Sequence, residues 1–332
     1  MKIIKRIAYA LLFLLIIAAG VLFYFYKADT HVEVLKGKYT YSDSRFKDIN
    51  GMNVHYRVTG SGYPLVLLHG SGSSLHTWEK WIEILSKDFK VITLDLPAFG
   101  LTGPHPDSDY SMEAYSLFLD NFLSKLHVDS CYLVGNSFGG HVAWTYTLDY
   151  PERVKKLAIL NSSGYPGKAT DEVPLIYRLA RNPIASKLLM KCTPRALVEK
   201  SVNETFVKTE LVTEAMIDRY YDLNLRTRNR HAFVDRLKQS NKDFTPRLKE
   251  LDLPVLIMWG DKDIVIGPEY AKRFQSDITG AETIMYEQVG HLPMEEIPMR
   301  SAVDLKAFLW KGDSQKTHLT TRGEEAAEVK VN

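Results

Sequence analysis

One stretch constrains the fold of this chain more than any other. Tyr132-Leu133-Val134-Gly135 reads as a short buried strand that runs straight into Asn136-Ser137-Phe138-Gly139-Gly140 and then into a helix-length segment, His141 to Leu148. A strand that enters a helix through Gly-x-Ser-x-Gly must turn sharply, and a serine on such a turn projects its hydroxyl above the sheet. Gly135 and Gly139 remove side chains where the backbones crowd. The helix start adds the positive end of a dipole and an N–H from Phe138 with no partner inside the helix. A glycine-rich turn without chemistry is the plainer alternative. The strand before and the helix after argue for the functional reading.

The surrounding chain fits a sheet covered by helices. From Met52 onward, short apolar runs alternate with helix-length amphipathic stretches. The runs expected as strands are Val54 to Val58, Leu65 to His69, Val91 to Leu94, Tyr132 to Gly135, Leu157 to Leu160, Val255 to Trp259 and Thr283 to Tyr286. Most are continuously apolar, which suits strands buried on both faces of a mostly parallel sheet. The rhythm stops between Leu160 and Val255, where Pro174, Pro183 and Pro194 punctuate helix formers. This predicts a helical insertion over residues 165–250 in a core built from residues 31–164 and 251–312. Residues 313–332 carry Glu324, Glu325 and Glu328 with almost no large apolar side chains, and are expected to stay disordered.

The N-terminus is different in kind. Ile7 to Tyr26 is uncharged, preceded by Lys2, Lys5 and Arg6 and followed by Lys27. As a helix these twenty residues measure about 30 Å, enough to cross a bilayer core. Tyr24, Phe25 and Tyr26 suit an interfacial aromatic belt, and the basic flank favours a cytoplasmic N-terminus. The competing reading is a cleaved signal peptide, whose shorter apolar region ends in a small-x-small site; here bulky aromatics follow Ala18, Ala19 and Gly20. Residues 1–30 are thus expected to form a basic flank and a single-pass transmembrane helix over about 7–26, with the remainder outside the cytoplasm.

A serine hydroxyl is a poor nucleophile unless a base lies beside it and a carboxylate orients that base. Both residue types follow strands at their C-terminal ends, where α/β sheets place their sites. Gly260-Asp261-Lys262-Asp263 follows one strand and Gly290-His291-Leu292-Pro293 another. Serine, acid, histidine in that chain order is one of the known arrangements of such a triad.

From about Asn50 to Trp310 the chain resembles the α/β-hydrolase-fold enzymes that carry a helical cap. Four motifs carry the resemblance: His69-Gly70-Ser71-Gly72, Asp95-Leu96-Pro97-Ala98-Phe99-Gly100, the serine turn, and Trp259-Gly260-Asp261-Lys262-Asp263 paired with Gly290-His291. The resemblance implies a triad of Ser137, Asp263 and His291, with Asp261 left to cap a loop. It also implies an oxyanion hole made by the backbone N–H groups of Ser71 and Phe138. Some relatives place the acid after the strand that follows the serine helix, but Asn161 stands there in this chain. Asp95 to Gly100 reads as a structural turn, with Ala98 where the family often has glycine.

Charge and cysteine content narrow the remaining classes. The net charge is +2 over 332 residues, which argues against nucleic-acid binding. Residues 165–250 nevertheless hold 17 Lys plus Arg against 11 Asp plus Glu, a surplus of six. Among those charges Leu175, Ile176, Leu179, Ile184, Leu188, Leu189 and Met190 form an amphipathic pattern. That pattern suits a substrate mouth or a lipid surface, although a solvated face over a buried stripe is the plainer reading. Cys131 and Cys192 are too few for a disulfide framework, and Cys131 is expected in the core. His55, His76, His127 and His141 have no metal-ligand spacing, so neither a metal nor a cofactor is expected.

The expectation is therefore a membrane-anchored serine hydrolase that cleaves a carboxylic ester with a hydrophobic part. Within the fold, a C–C bond hydrolase of vinylogous diketones shares the Gly-Asn-Ser-x-Gly-Gly form, and perhydrolase or acyltransferase chemistry fits the same residues. A non-catalytic receptor that keeps the pocket is the rival from outside enzymology.

Overall fold

A computed structural model describes residues 2–166, 175–239 and 242–311. The expected disordered tail and Pro174 lie outside the described residues.

Eight strands form one sheet: β1 Arg45–Ile49, β2 Met52–Thr59, β3 Pro64–Leu68, β4 Lys90–Leu94, β5 Cys131–Asn136, β6 Val154–Leu160, β7 Val255–Gly260 and β8 Glu282–Tyr286. Their spatial order is β1-β2-β4-β3-β5-β6-β7-β8. The first two pairings, β1 with β2 and β2 with β4, are antiparallel, and all later pairings are parallel. Each expected strand is present within a residue or a few of its expected ends. β1 was not expected. It is a polar edge strand, and its hairpin to β2 turns on Asn50 and Gly51, both at positive φ.

The helices are α1 Lys2–Phe25, α2 Val32–Tyr39, α3 Glu79–Leu85, α4 Met112–Lys125, α5 Phe138–Asp149, α6 Leu175–Arg181, α7 Ala185–Leu189, α8 Arg195–Asn203, α9 Glu214–Asn224, α10 Asn229–Lys238, α11 Glu269–Asp277, α12 Pro293–Glu296 and α13 Pro298–Trp310. The period-two alternation of strand side chains sorts the core into two layers. Val66, Leu133, Ile159 and Ile257 pack with Phe118 and Phe122 of α4, Trp144 of α5 and Phe274 of α11. Leu65, Leu67, Val134, Leu160 and Met258 pack on the other face with Trp81 and Leu85 of α3 and Leu305 and Phe308 of α13. Cys131 is fully buried in the first layer.

Between β6 and β7 the described residues form α6 to α10 and short 3-10 turns, with no strand. The amphipathic stripe expected there is divided: Leu179, Leu189 and Met190 are half-buried, and Leu189 lines a cavity. Ile184 and Leu188 are exposed, at 76% and 47%. The segment leaving α1 is stitched to this insertion: Lys27 N–H donates to Lys191 O (3.0 Å), Thr30 N–H to Leu225 O (2.7 Å) and Thr227 N–H to Thr30 O (2.9 Å).

α1 forms where the apolar run predicts a helix. The side chains of Ala8, Leu14, Leu15, Ala18, Ala19, Val21 and Leu22 lie outside the described residues. Among the described residues no helix is long and apolar enough to cross a membrane. The helix is shown, and the expected membrane crossing is not.

Candidate active site

The turn between β5 and α5 holds Ser137 at φ 56° and ψ −118°, on the N-cap of α5. Close backbone approach dictates the flanking glycines. A Cβ on Gly139 would lie 2.2 Å from Leu68 O, and one on Gly135 would lie 2.1 Å from Gly139 O. Ser137 N–H donates to Leu160 O at 2.9 Å, which locks the turn to the end of β6. Phe138 opens α5, so its N–H is among those that a helix leaves without an internal partner.

Asp263 and His291 come from the ends of β7 and β8. Asp263 Oδ2 lies 2.7 Å from His291 Nδ1, with both side chains buried. The acid is itself held by four donors. Its Oδ1 accepts from Val265 N–H (2.8 Å) and Ile266 N–H (3.0 Å), and its Oδ2 also accepts from Asn161 Nδ2 at 2.7 Å. With Nδ1 directed at a carboxylate, the imidazole presents Nε2 on its other side. Ser137 and His291 line the same cavity. Among the described residues no hydrogen bond joins the two side chains; such catalytic contacts form or tighten around a bound substrate. Asp261 lies in the loop, where its Oδ1 accepts from Gln288 N–H at 2.7 Å.

The loop after β3 closes on the serine from above. A Cβ on Gly70 would sit 3.1 Å from Ser137 Cβ, and Gly70 to Ser73 line the cavity. His69 positions this loop. Its Nε2 accepts from Leu96 N–H (3.0 Å), so Nδ1 carries the proton and donates to Gly70 O at 2.7 Å. Burial lowers the His69 pKa, which keeps the ring neutral in that tautomer. Asp95 is a structural centre, accepting from Leu75 N–H and Leu101 N–H at 2.8 Å each and meeting His55 Nδ1 at 2.8 Å. Ala98 in that turn adopts φ 81°, the conformation for which glycine is the easier residue.

Several polar residues at the site were not singled out in the sequence. Asn136 Nδ2 bridges Leu160 O (3.2 Å) and His291 O (3.1 Å), tying the serine turn to the histidine loop. Glu296 Oε2 accepts from Gly290 N–H and Val207 N–H, both at 3.1 Å, which pins the histidine loop to the insertion. The cavity wall is completed by the insertion through Tyr177, Leu189, Val198, Val202, Tyr220, Phe233 and Arg230. Arg230 reaches back to the segment after α1, donating from Nη2 to Lys27 O (2.7 Å) and Asp29 Oδ1 (2.6 Å). Arg236, also of the insertion, donates to Ser71 Oγ at 2.5 Å.

Comparison with known proteins identifies the fold family. The family model for the alpha/beta hydrolase fold matches residues 63–298. A 2-hydroxy-6-oxononadienedioate/2-hydroxy-6-oxononatrienedioate hydrolase from Klebsiella pneumoniae is 28% identical over 267 residues, covering 75% of this chain and 89% of its own. A bacterial membrane phospholipase A described as a virulence factor superposes with a TM-score of 0.71 at 25% identity, covering 92% of this chain and 98% of its own. A meta-cleavage product hydrolase from Pseudomonas fluorescens gives 0.68 at 22% identity, covering 79% and 95%, a likeness of fold.

Proposed function

The chain belongs to the alpha/beta hydrolase family and is a hydrolase, and from that premise we propose that it is a membrane-anchored serine hydrolase that cleaves carboxylic esters with a hydrophobic part. The observation that carries the proposal is the buried Asp263–His291 hydrogen bond, set on one cavity with a serine on a sharp strand-to-helix turn. His291 Nε2 takes the proton from Ser137 Oγ as the oxygen attacks the ester carbonyl. Asp263 holds the imidazole in the required tautomer and stabilises the imidazolium. The N–H groups of Ser71 and Phe138 receive the oxyanion, each well-aimed donor being worth about 3 kcal/mol on the transition state. The proton on His291 then passes to the departing alcohol, and a water activated by the same ring releases the acid.

Two observations support a membrane setting. Phe13, Ile16, Phe23 and Tyr24 of α1 are exposed, and a large exposed apolar surface calls for a cover. Ile184 and Leu188 lie shortly before Lys191 and Cys192, to which the segment leaving α1 is joined, so the exposed apolar face of the insertion and the end of the helix suit one lipid surface. The ester of an acyl lipid fits both the apolar cavity wall and this setting, and it is the chemistry in the name of the similar phospholipase. A C–C bond hydrolase is the second reading, favoured by the name of the Klebsiella relative.

A fluorophosphonate probe tests the nucleophile: labelling is expected in the wild type and lost in Ser137→Ala, and a folded, unlabelled wild type refutes the proposal. A panel of esters of graded acyl length, phospholipid vesicles and a 2-hydroxy-6-oxo-dienoate separates the two substrate readings. Alkaline extraction of membranes tests the anchor, with release of the intact chain into the supernatant as the refuting result.

A further inference from the structure

The insertion carries a buried guanidinium to the back of the proposed oxyanion hole. Arg236 of α10 is 8% exposed, yet among the described residues no carboxylate forms an ion pair with it. Its Nη2 donates to Ser71 Oγ at 2.5 Å, and its Cζ sits 4.3 Å from the centre of the Phe138 ring, 5.4 Å from Phe99 and 5.8 Å from Phe233. The Nε atom has no hydrogen-bond partner. Burial draws the Arg236 pKa down from its ordinary value, but an arginine side chain stays protonated in a protein. Rings facing a guanidinium recover part of the lost hydration. Even so, an unpaired buried cation is a costly element to keep, and a well-packed apolar side chain commonly serves stability as well or better.

What distinguishes this position is the pair of residues it grips. Ser71 and Phe138 are the two whose backbone N–H groups receive the oxyanion in the reading above, on which this inference rests. They belong to separate elements, the loop after β3 and the start of α5, and Arg236 contacts both side chains at once. We propose that Arg236 is a positioning residue for the oxyanion hole: it holds the Ser71 loop and the Phe138 turn in register, and its fixed charge favours the negative oxygen of the transition state over the neutral carbonyl of the bound ester. The effect falls on turnover rather than on substrate binding, because the ground state carries no charge for Arg236 to act on. It also makes catalysis depend on how α10 docks against the core, since the guanidinium reaches the site from the insertion.

The test compares Arg236→Met and Arg236→Lys with the wild type in the full-length protein, on an ester that the wild type cleaves. The readouts are kcat, KM, melting temperature and the rate of fluorophosphonate labelling. Arg236→Met is expected to lower kcat by about tenfold to a hundredfold with KM within about twofold of wild type, and labelling should slow in step. The melting temperature should hold or rise, because the unpaired charge is gone. Arg236→Lys, which keeps the charge and loses the planar fork, should fall between the two in kcat. A lowered melting temperature with kcat retained describes a structural arginine and overturns the proposal, as does an unchanged kcat in the Met variant. If the Met variant does not fold, the Lys variant decides, and an unchanged kcat there overturns the proposal. A wild type that is folded, inactive and unlabelled overturns the serine-hydrolase reading and this inference with it. An active, labelled wild type with unaffected variants overturns this inference alone.

Discussion

The backbone at Ser137 is the most direct place to test whether the site stores strain. Its φ of 56° with ψ of −118° lies outside the regions open to a residue with a Cβ, and such a conformation costs about 1–3 kcal/mol. Ser137→Ala removes the hydroxyl and keeps the strain, whereas Ser137→Gly removes both. Comparing these two variants cancels the loss of the hydroxyl. Against the relief stands the greater freedom of glycine in the unfolded chain, about 0.4–1 kcal/mol. A buried Cβ is also lost, against which the Gly70 loop is packed closely. The net expectation is that the glycine variant is the more stable by about 1 kcal/mol, which for a protein of this size raises the melting temperature by about 1–2 °C. Calorimetry on the two purified variants measures the difference. A glycine variant that melts at or below the alanine variant refutes the argument that the surrounding structure forces the serine into this turn.

Three further outcomes follow from the same geometry. Asp263→Asn leaves a carbonyl oxygen for the Val265 and Ile266 N–H groups but points an NH2 at His291 Nδ1 and at the Asn161 amide donor; the imidazole must then carry its proton on Nε2, and kcat should fall about 10⁴-fold, with a lower melting temperature because the buried Asn161 Nδ2 loses its acceptor. Burial, the leading cause in each case, pulls the pKa values of His76 and His141 down to about 3 from 6.5. Each depressed value favours the neutral ring in the folded state, so this stability is complete above about pH 6.5 and drains away as pH falls toward about 3. At about pH 5 the loss is about 2 kcal/mol per histidine, and urea unfolding that gives equal free energies at about pH 7.5 and 5 contradicts it. Truncation after Phe25 should leave the remainder folded. Truncation after Thr30 also removes Lys27 O and Asp29 from the buried Arg230 Nη2, and should cost about 3–5 kcal/mol. Equal melting temperatures for the two truncated chains would show that the Arg230 contacts carry no weight.

What could be read from the sequence was whatever the local pattern encodes. Continuous apolar runs mark β3 to β7 because those strands are covered on both faces. Ser137, Asp263 and His291 stand out because each follows a strand end within three residues of a glycine. β1, Arg-Phe-Lys-Asp-Ile, offers no such run, being an edge strand with an exposed face. Its one local signal was Asn50-Gly51, a pair suited to the two-residue hairpin turn that needs positive φ at both positions. The polar residues that brace the site had no comparable signal. Asn161 meets Asp263 across 102 positions of sequence and Asn136 meets His291 across 155, contacts that exist only once the parallel strands are side by side.

The same limit applies to the tally of charge in the insertion. Arg195 is spent on Glu214 and Asp218 of the neighbouring helix region, and Arg230 on Asp29, which lies outside the insertion altogether. Arg236 is buried against the Phe138 ring and Ser71 Oγ, away from any exposed basic face. The surplus of six positive charges is therefore in part an internal device, and three of its arginines act at a distance in sequence. One ties the insertion's own helices together, one ties the wall of the cavity to the segment leaving α1, and one ties α10 to Ser71 and Phe138. A count along the chain assigns all three to one basic face, whereas the fold distributes them among the joints on which the geometry of the cavity depends.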